Sequence, residues 1–282
     1  MFNREELLEA LVDAIRRTVV ELPPDVEATM RTLVGEAGPQ ARLHLESALA
    51  AGERARSAGR PYCAVDSGFP VFYVRPSPTM PPDLPLIVSE AVAEATRRGH
   101  LRPSVADPFS GEVTPDNTGA GAPWLVYGPP NGAYTELVYV PNGSAADRLA
   151  TIAHLRPPVS GEDVIGIVRT ALSKGGRYPC QPVIVGIGIG GPADGAMALS
   201  KQALLRPLGS RSGDSRAEAM ERMVLASINA DGAGIGALAL GVHIEFAAAH
   251  RATCPVSVSI LCRAARRVAL RISDTGTVQV IR

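Results

Sequence analysis

Lysine is nearly missing from this chain of 282 residues, with Lys174 and Lys201 the only two among 28 basic groups. Arginine supplies the rest, a bias that reads as genomic base composition rather than function. The 28 acidic residues bring the net charge to zero, so no global field draws the chain to nucleic acid or to an anionic membrane. No apolar run approaches the roughly 18 residues of a membrane span. The first residues, MFNREELLEALVDAIRR, are charged and amphipathic and lack the apolar core of a targeting peptide. A soluble cytoplasmic protein is the expectation. Cysteine is scarce too: Cys63, Cys180, Cys254 and Cys262 stand far apart and none forms a CxxC pair. Zinc usually takes closely spaced ligand pairs, and a chain without a leader is not expected to form disulfides.

What is present suffices for a core: 46% of the residues are apolar and 20% charged. The length allows one large domain or two modest ones. Residues 3–20 predict a helix with Asn3 as N-cap and Leu7, Leu8, Leu11, Ile15 and Val19 at helical spacing. Two further helices follow, Pro24–Gly35 and Pro39–Gly59, so residues 1–59 form a helical part suited to packing rather than chemistry. Residues 60–282 read as an α/β part, continuous with the helices as one domain. Its strands are predicted at Val71–Val74, Trp124–Tyr127, Ala133–Val140, Val183–Ile189, Val256–Leu261, Val268–Ile272 and Thr277–Ile281. Trp124–Tyr127 and Ala133–Val140 are expected to pair as a hairpin through Pro129–Gly132. Helices are predicted at Pro85–Arg98, 161–174, Ala193–Leu205 and Ser215–Asn229. The fold class is α/β, a mixed α+β sheet with an N-terminal helical layer.

Several stretches carry chemistry-bearing residues. A long turn-rich loop, residues 100–128, holds Arg102, Asn117, Thr118 and Trp124, and loops of that length in a compact domain are often functional. Gly143 and Ser144 end a strand and read either as an anion-binding turn or as a plain one. His243 and Glu245 share one face of a predicted strand, where a histidine is either a ligand or a satisfied core residue. Pro182–Gly209 opens on a buried strand and runs through Gly186, Gly188, Gly190 and Gly191 into a small-residue helix. GIGIGG does not keep dinucleotide-fingerprint spacing, and no acidic residue follows about 20 positions on.

Eight segments in order carry a resemblance: RPYC with its Asp-Ser-Gly turn, HLRPSV, NTGAGAPW, NGSA, YPCQPVIVGIGIGG, LLRPLGSR, GVHIE and SILCRAARR. Over nearly its whole length the chain resembles the α region of the iron–sulfur hydro-lyases, the class I fumarase and L-tartrate dehydratase family. The resemblance implies a [4Fe–4S] cluster on Cys63, Cys180 and Cys262, with Cys254 a core residue. It implies catalytic roles for Asp66 and His243, and substrate binding by Arg102, Gly143 and Ser144. The glycine turn after Cys180 would let backbone approach the cluster pocket. The reaction implied is reversible hydration of a small dicarboxylate, fumarate/malate first and tartrate or mesaconate next. A separate β subunit would complete the site, in an α2β2 assembly, and the chain alone would be inactive or nearly so.

Two departures from the family pattern stand out. Cys63 is followed by Ala64-Val65-Asp66-Ser67-Gly68, where the family's Cys-Gln-Asp-Thr-Gly is one residue shorter. Ala146 and Asp147 stand where asparagine and lysine are common. These changes motivate a second expectation, a divergent relative that keeps the fold but serves other chemistry, sensing or scaffolding.

Overall fold

The computed structural model describes residues 3–62, 66–174, 181–230, 238–262 and 266–281. They form two compact units. The first comprises Met1–Pro23, Ala51–Ser144 and Arg266–Arg282, and the second Pro24–Ala50 and Ala145–Ala265. Among the described residues no helix is long and apolar enough to cross a membrane.

The first unit is built on a five-stranded sheet. Its strands are β1 (Phe69–Arg75), β2 (Trp124–Tyr127), β3 (Tyr134–Asn142) and a C-terminal pair. That pair is Val268–Ser273 and Val278–Ile281, named β8 and β9 once the strands of the second unit are counted. The order is β2-β1-β3-β8-β9. Two helices, α1 (Arg4–Val20) and α4 (Leu84–Arg97), cover one face. Every second residue of the strands meets them: Phe72 and Val74, Leu137 and Tyr139, Leu270 and Ile272. That period-two burial against helical stripes is what the apolar spacing requires. Asn3 caps α1, its side chain accepting the Glu5 and Glu6 amides.

The expected hairpin does not form. β2 pairs with β1 in parallel, and β1 lies between β2 and β3. Pro129 and Pro130 supply no amide to a tight hairpin turn. The connection instead ties itself to the exit of β1, through Gly128 N–H to the Val74 carbonyl and Asn131 N–H to the Pro76 carbonyl. β1 is the more buried strand and takes the interior position, leaving β2, with exposed Trp124 and Tyr127, at the edge.

The second unit holds a mixed four-stranded sheet, order β4-β7-β5-β6. Its strands are β4 (Thr151–Leu155), β5 (Val183–Ile189), β6 (Ala239–Phe246) and β7 (Cys254–Cys262). β5 runs parallel to β6 and antiparallel to β7. The unit's helices are α2 (Pro24–Glu36), the four-residue turn α5 at Ser144–Asp147, α6 (Gly161–Ser173), α7 (Ala193–Ala203) and α8 (Ser215–Ala230), and α3 (Pro39–Ala58) crosses from this unit into the first. One face of the sheet carries Val183, Val185, Ile187, Val242, Ile244, Val256, Val258 and Ile260 against α6 and α8.

The other face is lined with glycine and serine, because α7 lies directly on it. A Cβ on Gly186 would strike the Ser200 carbonyl oxygen, and one on Gly188 the Ala196 carbonyl oxygen. Ser200 Oγ meets Ser257 Oγ at 3.1 Å and Ser259 Oγ at 2.8 Å. Gly186 and Gly188 are therefore packing residues that admit a helix backbone. Gly190 and Gly191, at φ 83° and 68°, make the turn that follows.

The LLRPLGSR segment is explained within this unit. Arg206 Nη1 pairs with Glu221 Oε1 at 2.6 Å, both largely buried, and Glu221 Oε1 also accepts the Ile244 amide at 2.8 Å. Asp25 accepts the Leu208 amide at 2.7 Å, pinning the same segment to the start of α2.

The two kinds of glycine predict opposite mutational effects. Gly188→Ala is expected to lose about 2 kcal/mol in urea unfolding, the cost of forcing a side chain into a packed helix–sheet contact. Gly166→Ala, in α6 with nothing near the new methyl, is expected to gain about 0.5–1 kcal/mol. Equal and small effects at both sites would contradict the packing role.

Candidate active site

At one end of the first unit's sheet, three chain segments meet. The turn before β1 brings Asp66, Ser67 and Gly68. The exit of β3 brings Asn142, Gly143 and Ser144. The approach to β8 brings Arg266, two residues before the Val268 that pairs with Tyr139 of β3. The register of β1 with β3, Phe69 opposite Asn142, sets the first two side by side. Gly68 permits this, since at φ 83° its missing side chain would otherwise strike the Pro141–Asn142 peptide.

Asp66 is the hub. Its Oδ1 accepts the Gly68 amide at 2.7 Å. Its Oδ2 accepts both the Ser144 amide at 2.8 Å and the Ser144 hydroxyl at 2.7 Å. Burial by itself would raise the carboxyl pKa. Hydrogen bonds from the Ser144 hydroxyl and the Gly68 and Ser144 amides, with the charge of Arg266, outweigh it and hold Asp66 below its ordinary value. Asp66 is therefore ionised at neutral pH, as a proton acceptor must be.

Ser67, buried, continues the connection. Its Oγ accepts the Arg102 amide at 2.8 Å. The Arg102 side chain is exposed and makes no ion pair with a carboxylate among the described residues. Asp66, Ser144, Gly143 and Arg102 thus gather in one unit by direct contacts of neighbouring turns.

Arg266 stands in the SILCRAARR segment, where the sequence implied no role for it. Its Nη2 donates to the Asp66 carbonyl at 3.4 Å, while its buried Nη1 has no hydrogen-bond partner among the described residues. An unfilled cationic donor beside an ionised carboxylate suits a site for an anion. The separation of 200 residues hides this contact from local reading.

The other expected site residues belong to the second unit or lie outside the described residues. His243 is 2% exposed on β6, and its Nδ1 lies 3.2 Å from the Ala203 carbonyl at the end of α7. A carbonyl only accepts, so Nδ1 carries a proton. Cys262 is the last residue of β7, half-buried and opposite Val183. Cys180 stands three residues before Val183 in the sequence. Cys63 and Cys180, with Ala64 and Val65, lie outside the described residues. Three soft thiolates are a donor set that iron–sulfur clusters take, and the strand-end thiol of Cys262 fits such a role. Cys254 does not: it is buried, and burial pushes its thiol pKa up. Among the described residues no three His, Cys, Asp or Glu side chains form a metal site. Asp147 turns to Lys201 Nζ at 2.5 Å, which compensates its charge.

The sequence matches the Fumarate hydratase (Fumerase) family over residues 8–271. The chain belongs to that family. With it, the chain is a hydro-lyase. A Methanocaldococcus jannaschii chain, provisionally named L(+)-tartrate dehydratase subunit alpha, is 30% identical over 281 residues, 95% of this chain and 98% of its own. The L(+)-tartrate dehydratase subunit alpha of Escherichia coli K12 is 34% identical over 230 residues, 78% of this chain and 75% of its own. That of Shigella sonnei matches to the same extent.

Ser144→Ala tests the hub. Removing the hydroxyl is expected to raise the Asp66 pKa, read from the carboxyl carbon resonance across a pH series. A depressed carboxylate contributes stability that is fully present above its unfolded-state value, roughly 3.9, and is lost as pH falls through the folded value. The stability gap between the native chain and the variant is thus expected to be full at neutral pH and to close on acidification. An unchanged titration would show that Ser144 does not hold the charge.

Proposed function

We propose that this chain is the cluster-bearing α subunit of a [4Fe–4S]-dependent hydro-lyase acting on a small hydroxy-dicarboxylate, completed by a β subunit in an α2β2 assembly in the cytoplasm. The observation that carries this reading is the Asp66 carboxylate, kept ionised by three hydrogen bonds beside Gly143, Ser144 and Arg102. The names of the relatives favour L(+)-tartrate as substrate, ahead of the fumarate/malate pair that resemblance alone puts first. Their shared designation as subunit alpha supports the β partner.

Cys63, Cys180 and Cys262 are the proposed cluster ligands. When bound, the cluster supplies a Lewis-acidic iron for the substrate hydroxyl and its neighbouring carboxylate. Arg102 grips a substrate carboxylate as a charge-assisted donor. Gly143 and Ser144 border the same space, the glycine leaving its backbone open to the substrate. Asp66 accepts the proton from the carbon beside the carboxylate, and returns it in the hydration direction. Its ionised state at neutral pH supports that role. His243, with Nδ1 held protonated by Ala203, is proposed as a second catalytic residue. The ion pair with Lys201 neutralises Asp147, an acidic group that standing free would repel a dicarboxylate.

The test begins with anaerobic purification and reconstitution. Bound iron and broad visible absorption are expected. Cys262→Ser is expected to lose most of the iron, and Cys254→Ser to keep it. Colourless, iron-free protein after reconstitution would overturn the cluster assignment. Co-expressed with its β subunit, the enzyme is then assayed on L(+)-tartrate, malate and fumarate. Arg102→Met is expected to raise KM about tenfold or more. Loaded, assembled enzyme inactive on all three substrates would favour the second reading, a relative doing other chemistry. Full activity of the α chain alone would rule out the need for a β subunit.

A further inference from the structure

The loop after α4 contains the one non-glycine residue with positive φ among the described residues, Asn117 at φ 61°. The left-handed region is where glycine is ordinarily found. Asn117 is also 1% exposed, and its amide is fully used. Oδ1 accepts the Ser104 amide at 2.7 Å, the Val105 amide at 3.2 Å and the Ser104 hydroxyl at 3.2 Å. Nδ2 donates to Thr96 Oγ1 at 3.0 Å and to the Arg102 carbonyl at 2.8 Å. Two amide donors on one side and a carbonyl on the other leave a single orientation of the side-chain amide.

These contacts converge on the backbone of Arg102. Its carbonyl is held by Asn117, and its amide by Ser67 Oγ at 2.8 Å. Ser67 adjoins Asp66, and Ser104 Oγ donates to the Gly68 carbonyl at 3.3 Å. Thr96 in turn donates from its hydroxyl to the Val92 carbonyl within α4 at 2.8 Å, anchoring the assembly to the core. Both peptide groups flanking the Arg102 Cα are thus fixed, and the exposed guanidinium is the free end of a clamped arm.

We propose that Asn117 is the positioning residue of this site, its buried amide fixing the backbone from which Arg102 reaches a substrate carboxylate. The inference rests on the carboxylate grip proposed for Arg102. It adds that an Asn is required where conformation alone asks only for glycine. A glycine would make the same turn, but it would leave the Ser104 and Val105 amides and the Arg102 carbonyl without their shared partner. The arm would then sample orientations that do not meet the substrate, and productive binding would fall with the fraction correctly aimed.

Asn117→Gly separates the two roles, since glycine takes the left-handed backbone without strain and keeps the chain foldable. In the assembled, cluster-loaded enzyme its KM for the dicarboxylate is expected to rise about tenfold with kcat changed much less. Asn117→Asp, which keeps the acceptor oxygen and loses the Nδ2 donor, is expected to raise KM in the same way. The decisive measurement is a cycle with Arg102→Met. If Asn117 acts through Arg102, Asn117→Gly changes KM less than about twofold in the Arg102→Met background. A variant Asn117→Gly with native KM overturns the proposal, as does an effect of equal size with and without Arg102. If Arg102→Met itself leaves KM unchanged, the carboxylate grip falls and this inference falls with it. If Arg102→Met raises KM and Asn117→Gly does not, this inference alone falls. Amide resonances of Ser104 and Val105 in the isolated chain give a readout independent of turnover: both are expected to shift and to lose exchange protection in Asn117→Gly.

Discussion

A carboxylate that accepts three hydrogen bonds from two different turns cannot move unless both turns move with it. Asp66 stands in that position, joined to its own turn through Gly68 and to the exit of β3 through Ser144. The pairing of β1 with β3 brings these turns together, and Gly68 removes the side chain that would hold them apart. From that contact the rest of the site follows in short steps. Ser67 reaches Arg102, and the Arg266 guanidinium reaches the Asp66 carbonyl. The charge on Asp66 is a property of this geometry, since its donors hold it down against the opposing effect of burial.

The second unit meets a different constraint, close approach of a helix to a sheet. Glycines on β5 and serines on β7 leave α7 no side chain to ride over. The same closeness puts the Ala203 carbonyl within reach of His243, a β6 residue facing α7. Small residues along GIGIGG thus help to set the tautomer of a candidate catalytic histidine. Helix packing and histidine chemistry are here consequences of one spacing.

Helix and strand positions were legible because their signals are local. The stripe of α1, the β-branched run of β5 and the Asn3 cap all appear within a few residues of chain. Strand adjacency is a different matter. β2 and β3 are neighbours in sequence, yet β1 comes between them, because burial and the two prolines of the connection outweigh proximity along the chain. β4, five residues of mixed polarity, gave no run to notice. In the site, motif resemblance marked Asp66, Ser144 and Arg102 without saying how they touch. Arg266 escaped because its contact spans 200 residues. Asn117 stood in view as a loop residue, but its importance lies in a left-handed backbone and five hydrogen bonds that no spacing rule encodes.

The departures from the family pattern take on physical meaning at this point. An acidic group at Asp147 would weaken an anion site if it stood unpaired. Lys201, one of only two lysines in the chain, meets it from α7. Two arginines of the first unit make no ion pair within 4 Å among the described residues: Arg102 is exposed, and Arg266 keeps one buried donor unfilled. Asp66 is the carboxylate that Arg266 faces, and its oxygens are already engaged by Gly68 and Ser144. Its hydrogen bonds hold its own turn to the exit of β3, and Arg266 acts on it through charge and not through a direct bond to its oxygens. Exposed Arg102 and the unfilled donor of Arg266 are the features on which the proposed binding of a dianionic substrate draws. In the proposed function, the proton-accepting carboxylate is thus held by the Gly68 and Ser144 amides and the Ser144 hydroxyl, apart from the guanidinium proposed to grip the substrate.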